Sequence, residues 1–432
     1  MYIRKILFAV LFLIVGTVTV SAGVKIENWI TADGAKVYFV ENHNLPMIDI
    51  SVSFKAGSAR DSLKNSGTAS FTNHLMLLGS GGIDEVSLAN QFTDIGAQLD
   101  SSFDRDKSSF SLRTLSEKKD IAIKLFNQVL HKPDFNENVI TREKKRYYAS
   151  IRQGETEPSS IASKAFMKAI YGNHPYAFPE SGTVSTLESI KRSDLKSFYS
   201  NYYLSNHLSI VIVGDVDINA AKEIAEKISL GLPNNPKASF YPEVQITEPQ
   251  EIKISHPSTQ AHLYYGGPVV KRGDPDFFPL YVGNYILGGG GFVSRLTGEV
   301  REKKGLVYSV YSYFMPMLEL GPFQVGLQTK KDQIDEALAL VKKTVKDFIQ
   351  NGPTEKELQA AKSNMIGGFP LRLDSNKKII EYISMMAFYN YPLDYLDTFA
   401  DQVNAVTVQK IKAAFQKRVD MNKFSTVIVG IE

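Results

Sequence analysis

The chain has 432 residues, 43% hydrophobic and 22% charged, with a formal net charge of +3 and no cysteine. A chain this long builds two to three domains around a sizeable core. Its near-balanced charge, with no basic block and no basic–aromatic tract, excludes nucleic acid as the expected partner. Without cysteine there are no disulfides, no thiolate zinc ligands, no thiol nucleophile and no site for lipoprotein acylation.

Residues 1–22 combine Arg4 and Lys5, an apolar run from Ile6 to Val20, and the small-residue end Val20-Ser21-Ala22. This is the three-part pattern of a secretory signal peptide. It predicts a cleaved signal peptide and an exported protein, periplasmic in a Gram-negative bacterium, with an uncleaved N-terminal anchor as the alternative. Ile48, Ile50, Val52 and Phe54 then alternate as one face of a strand. Residues 67–76 read G-T-A-S-F-T-N-H-L-M. An inverted zincin helix needs H-x-x-E-H, two His one turn apart as zinc ligands and a Glu between them as general base. Ser70, Asn73 and His74 stand at those three positions.

Helical patterns follow over residues 117–130 and, in the second half, 332–349. S-I-V-I-V-G at residues 209–214 recurs as S-T-V-I-V-G at residues 425–430, an offset of 216 residues. Each β-branched run predicts a buried strand, and each follows an amphipathic helical pattern: Ile190, Leu195 and Phe198 before the first, Val406, Ile411 and Phe415 before the second. So large an offset indicates two homologous domains, not a solenoid. Their expected limits are residues 23–232 and 251–432. The proline-containing stretch 233–250 is the linker. His262, Tyr264 and Gly266-Gly267-Pro268 restart the strand plan after it. Strands at the start and end of each half, with helices between, predict an α+β fold in which each domain is a mostly antiparallel sheet packed against helices.

These residues resemble the M16 (pitrilysin-like, mitochondrial-processing-peptidase-like) metallopeptidase family over nearly all of the chain after the leader. Gly67, Ala69, Phe71, His74 and Met76 fit its G-x-A-H-F-x-E-H-M motif, while Ser70 and Asn73 do not. Glu143 fits a downstream Glu, and the further ligand position seven residues later falls on Ser150. Asn173-His174-Pro175-Tyr176, the glycine run Gly288-Gly289-Gly290-Gly291 with Phe292, residues 301–309 (R-E-K-K-G-L-V-Y-S) and residues 369–376 (F-P-L-R-L-D-S-N) resemble other family segments. The pattern is that of the non-catalytic subunit in two-gene bacterial pairs. The resemblance therefore implies a heterodimer with an H-x-x-E-H partner that carries the zinc. It also implies a peptide substrate, with Arg301 and Tyr308 reaching the partner's site to bind the substrate carbonyl.

On the residues alone, His74 cannot hold a catalytic zinc, which takes three protein ligands, and none of the six other histidines makes an i,i+4 pair. No metal is expected on this chain. Ser70 and Asn73 are expected to hydrogen-bond one another or His74. Arg301 and Tyr308 fall at a helix end and on the next strand, with Gly305 breaking the helix. Their other reading is a surface Arg and a packed strand Tyr. Gly288 to Gly291 lack the Lys of a phosphate loop; they form either a backbone-exposing loop along a peptide channel or a tight turn that only glycine fits. Glu155 and Glu157 mark a solvated helix end. The rival functions are an autonomous zinc endopeptidase with displaced ligands and a peptide-binding or assembly protein without catalytic duty.

Overall fold

The computed structural model describes residues 24–235 and 241–431; the predicted signal peptide, residues 1–22, lies outside them. The first half forms a six-stranded sheet from β1 (Glu27–Ile30), β2 (Lys36–Glu41), β3 (Met47–Phe54), β4 (Gln98–Phe103), β5 (Ser108–Leu115) and β6 (Leu208–Gly214). The second forms a five-stranded sheet from β7 (Glu251–Ser255), β8 (Gln260–Val270), β9 (Val307–Phe314), β10 (Gly321–Lys330) and β11 (Ser425–Ile431).

The strand order is β1-β2-β6-β3-β5-β4 in the first sheet and β7-β11-β8-β10-β9 in the second. Without β1 the two orders are the same. In each, the final strand lies parallel to the opening one, β6 beside β2 and β11 beside β7, and antiparallel to the next. The repeated S-x-V-I-V-G run is thus the returning strand of each half. The architecture is the expected α+β one, with a single parallel pair in each sheet because the last strand returns only after a long helical excursion.

Both returning strands are buried from their first residue to their glycine, and apolar over residues 210–213 and 427–429, because both faces are covered. In β6, Ile210 and Ile212 join the core under the helices of their own half, whereas Val211 and Val213 join the core of the other half. Their cover is the helix Asn376–Tyr389, which crosses from the second half with Ile383 and Ala387 buried. Asn42 donates to Asn376 at 2.7 Å and Lys36 to Asn390 at 2.5 Å, tying both ends of that helix to the first sheet. Reciprocally, the helix Pro158–Tyr171 of the first half lies on β8 and β11, where Phe166 and Ile170 share a core with Val427 and Val429. Each sheet is closed by a helix from the opposite half.

A buried carboxylate fastens the two halves. Asp106 Oδ1 accepts from the Tyr176 hydroxyl at 2.5 Å; its Oδ2 accepts from the Leu318 amide at 2.8 Å and the Tyr389 hydroxyl at 3.0 Å. The Tyr241 hydroxyl, just before β7, donates to the Asp106 carbonyl at 2.7 Å. Burial pushes the Asp106 carboxyl up, and the hydrogen bond from Tyr176 opposes that shift. The Asn173–Tyr176 segment noted in the sequence supplies one of these donors, and His174 accepts from the Tyr176 amide at 3.1 Å.

Candidate functional site

The altered motif does lie on a helix, Thr68–Leu75. Its start is set by Gly67, at φ 95° and so close to Gly182 that a Cβ would stand 2.9 Å from that residue's Cα. The Asp61 carboxylate accepts from the Gly67 amide at 2.8 Å and the Ala69 amide at 3.1 Å, occupying two of the free N–H groups of the first turn. Burial pushes the Asp61 carboxyl up to about 8, against the lowering effect of those amides. Phe71 and Leu75 anchor the helix in the core.

Ser70, Asn73 and His74 do not form the mutual cluster the sequence suggested. Asn73 is buried and donates to the Ser108 hydroxyl at 2.7 Å, with a longer contact of 3.5 Å to the Ser102 carbonyl. The Ser70 hydroxyl is buried without a well-formed hydrogen bond, although it stands near enough to the Tyr147 phenol to oppose that group's rise to about 12, which burial causes. His74 Nε2 instead meets Glu143 Oε2 at 2.9 Å. The physical reason is direction. Side chains one residue apart on a helix point to different sides, so Asn73 turns to the strands and His74 to the neighbouring helix.

That neighbour, Glu137–Thr156, brings Glu143 in from 69 residues away. Glu143 is 1% exposed and also accepts from Arg142 Nε at 2.7 Å and Arg146 Nη1 at 3.1 Å. Burial would raise its carboxyl, but the hydrogen bonds from His74 and Arg142 outweigh burial and hold it below the usual carboxylate range. Tyr147, one turn on, packs against the His74 ring at 5.5 Å and the Phe71 ring at 5.0 Å. Ser150, two turns from Glu143, is exposed and lines a different hollow of about 280 Å³ with Arg105, Ser160, Lys164 and Ser181. Glu155 and Glu157 are exposed at the helix end.

Zinc does not fit this donor set. One imidazole and one carboxylate that is already triply hydrogen-bonded fall short of three ligands, and a hydroxyl and an amide are poor replacements. Among the described residues, no group of three or more His, Cys, Asp or Glu side chains is placed to hold a metal ion. No helix among them is long and apolar enough to cross a membrane.

In the second half, Arg301 closes the turn Thr297–Glu302 and Tyr308 opens β9. Gly305, at φ 64°, ends the turn, and its amide donates to the Arg301 carbonyl at 2.8 Å. The two side chains come together: the Arg301 guanidinium lies 5.5 Å from the Tyr308 ring centroid and 4.6 Å from that of Phe292. Tyr308 is 77% exposed, Phe292 73% and Val293 76%. A guanidinium between two exposed rings is a cation–π clamp, and this Tyr is not packed as core.

The glycine run precedes that clamp. Gly288 is buried, and a Cβ there would stand 2.3 Å from Ser312 Oγ on β9. Gly289 and Gly290 are hemmed by Asn284 and Tyr285, while Gly291 turns at φ 62° with open space around it. Close approach therefore accounts for the first three, and Gly291 is the one of the four with room for a side chain. The run forms one wall of a hollow of about 440 Å³ that also contains Tyr281, Tyr311, Tyr313 and Arg372. Neither this aromatic hollow nor the His74–Glu143 bond was apparent from the sequence. The only signal was that Arg372 and Glu143 fall in segments already singled out.

Residues 36–183 match the family model described as insulinase (peptidase family M16), and residues 189–365 match the one described as the peptidase M16 inactive domain. A Helicobacter pylori protein described as the non-peptidase homolog YmxG is 28% identical over 399 residues, 91% of each chain. A Bacillus subtilis protein described as the uncharacterized zinc protease YmxG is 26% identical over 394 residues, 89% of this chain and 94% of its own. The crystal structure of a peptidase M16 inactive domain from Pseudomonas fluorescens superposes with a TM-score of 0.91 at 37% identity, over 94% of this chain and 98% of that one.

Proposed function

The chain belongs to the peptidase M16 family, and on that premise we propose that it is the non-catalytic member of a two-chain zinc peptidase, completing a partner's active site with Arg301 and Tyr308. The observation that carries this reading is a contrast. At the altered motif Asn73 is spent on Ser108 and His74 on Glu143, while the Arg301–Tyr308 pair is assembled, reaches the surface through Tyr308 and is uncommitted to the core. A partner with an intact H-x-x-E-H helix would hold the zinc that this chain's donors cannot.

The chemistry asked of the pair is charge stabilisation. When a peptide carbonyl is attacked, its oxygen gains negative charge, and a guanidinium and a phenol placed beforehand can donate to it. One such donor is worth about 2.7–4 kcal/mol of barrier. Phe292 packs against the guanidinium, and the neighbouring Glu302 carboxylate stands 3.7 Å from Nε, beyond hydrogen-bond distance, which leaves N–H groups to donate. The surface beside Gly291 receives the peptide, and the leader at residues 1–22 directs the chain to the periplasm.

The test is reconstitution with an H-x-x-E-H chain encoded alongside. This chain alone is expected to cleave no peptide, and the pair to cleave. Arg301→Ala or Tyr308→Phe is expected to lower kcat about 10²–10³-fold with KM nearly unchanged. Unchanged kcat in both variants would favour a peptide-binding or assembly role without catalytic duty. Chelator-sensitive cleavage by this chain alone would favour an autonomous peptidase.

A further inference from the structure

Six aromatic rings and a single charged side chain line the hollow behind the glycine run. Phe277 and Tyr281 stack at 5.5 Å on one side, and Tyr311 and Tyr313 stack at 5.9 Å on the other. Its volume of about 440 Å³ suits one or two residues of a bound chain. It runs beside β9, the outer strand of its sheet, and consecutive residues from Val310 to Phe314 border it.

Arg372 is the charge. Its only hydrogen bonds among the described residues are to the Tyr281 and Tyr382 hydroxyls, both long at 3.4 Å. No Asp or Glu among those residues pairs with it. Arg295 shows what a committed guanidinium looks like here, with two bonds of 2.7 Å to Glu357. Yet the backbone that carries Arg372 is fixed. The Arg372 amide donates to the Phe369 carbonyl at 2.9 Å, Lys378 Nζ donates to the Leu371 carbonyl at 2.7 Å, and Phe369 stacks on Phe399 at 4.0 Å. Arg372 is exposed on this fixed backbone, and its five-donor fork, with only these two weak bonds, is open to a planar two-oxygen acceptor. One cation beside phenols suits a carboxylate monoanion better than a phosphate, for which several cations would be expected.

We propose that this hollow is a peptide subsite that takes an aromatic or large apolar residue beside the Phe277–Tyr281 and Tyr311–Tyr313 pairs and binds an adjacent carboxylate on Arg372. The proposal deepens the reading of the surface beside Gly291 as peptide-binding and rests on it for the class of ligand. The carboxylate belongs either to the peptide's C-terminus or to an acidic side chain next to the apolar residue.

Calorimetric titration of the purified full chain tests it with three peptides: N-acetyl-Ala-Ala-Phe as the free acid, the same peptide amidated, and amidated N-acetyl-Ala-Phe-Glu. The free acid or the Glu peptide is expected to bind at least tenfold more tightly than the amidated, acid-free one, and which of them does so identifies the source of the carboxylate. Arg372→Met is expected to remove that difference with an unchanged melting temperature, and Arg372→Lys to restore part of it. Equal binding of all three peptides, no binding of any, or an advantage that survives Arg372→Met would overturn the proposal. Because the titration uses this chain alone, failure to pair with a zinc-bearing partner leaves its outcome intact, and a failed titration leaves the kcat test of Arg301 standing.

Discussion

Asn73 and Asn284 take related positions in the two halves of the molecule: each directs its side-chain amide toward a backbone carbonyl on the outer strand of its own sheet. Asn73 reaches Ser102 on β4 at 3.5 Å, and Asn284 reaches Ser312 on β9 at 3.0 Å. Each sits near the end of the helix that packs beside that strand. Where an active family member would carry its general base, this chain has the strand-holding amide of the other half. The position is not vacant; it has been given to structure.

Replacing Asn73 by Ala should therefore destabilise the chain by about 1–3 kcal/mol, the cost of leaving buried polar partners unsatisfied. Urea unfolding followed by circular dichroism measures it. Cleavage by the reconstituted pair should be unaffected at temperatures where the variant is folded. An Asn73→Ala chain as stable as the parent would show that the Ser108 bond contributes nothing.

Because each sheet is covered by the opposite half's helix, the chain should unfold in one transition. Phe166→Ala and Ile383→Ala each open the cover over the other half's sheet, at about 3–5 and 2–5 kcal/mol. Both should lower a single melting transition. Two separated transitions in either variant would contradict mutual closure.

Asp106→Ala leaves the Tyr176 and Tyr389 hydroxyls and the Leu318 amide without their shared acceptor. The expected loss is about 2–5 kcal/mol, since unsatisfied buried donors cost more than the bonds they made. Limited proteolysis should then cut first near residues 241–250, which carry no regular element. A cutting pattern like the parent's would argue against Asp106 as the fastening.

Glu357 provides the pH dependence. Two hydrogen bonds from Arg295 hold its carboxyl down to about 2, from an ordinary 4.5. A depressed folded value means the contribution is complete above the unfolded pKa and is lost as pH falls through the folded one. The melting-temperature gap between the parent and Glu357→Gln should be constant above pH 5 and close between about pH 4.5 and 2. The partial exposure of the pair keeps the gap modest. A gap that widens on acidification would refute the assignment.

Metal analysis of the purified chain should find far less than one zinc per molecule, before and after dialysis against zinc. His74→Ala should change that result not at all and should cost stability, because it removes a partner from the buried Glu143. One tightly held zinc per chain would overturn the reading of the motif.

What the sequence determined by itself is whatever depends on residue identity and short-range period. Ser70 cannot ligate zinc as His does and Asn73 cannot act as a base as Glu does, and the V-I-V core of residues 425–430 is too apolar to face water on either side. The repeat of that run predicted two halves, and the strand orders agree. Only the tertiary structure decided what covers β6 and β11, because a strand's period states that a face is buried and not which helix buries it. It also decided that His74 meets Glu143, that Asn73 turns to the strands, and that Arg372 stands alone among tyrosines. Those contacts span from 35 to 91 residues of chain. Their geometry follows from how whole helices pack, and no local pattern of residues carries that information.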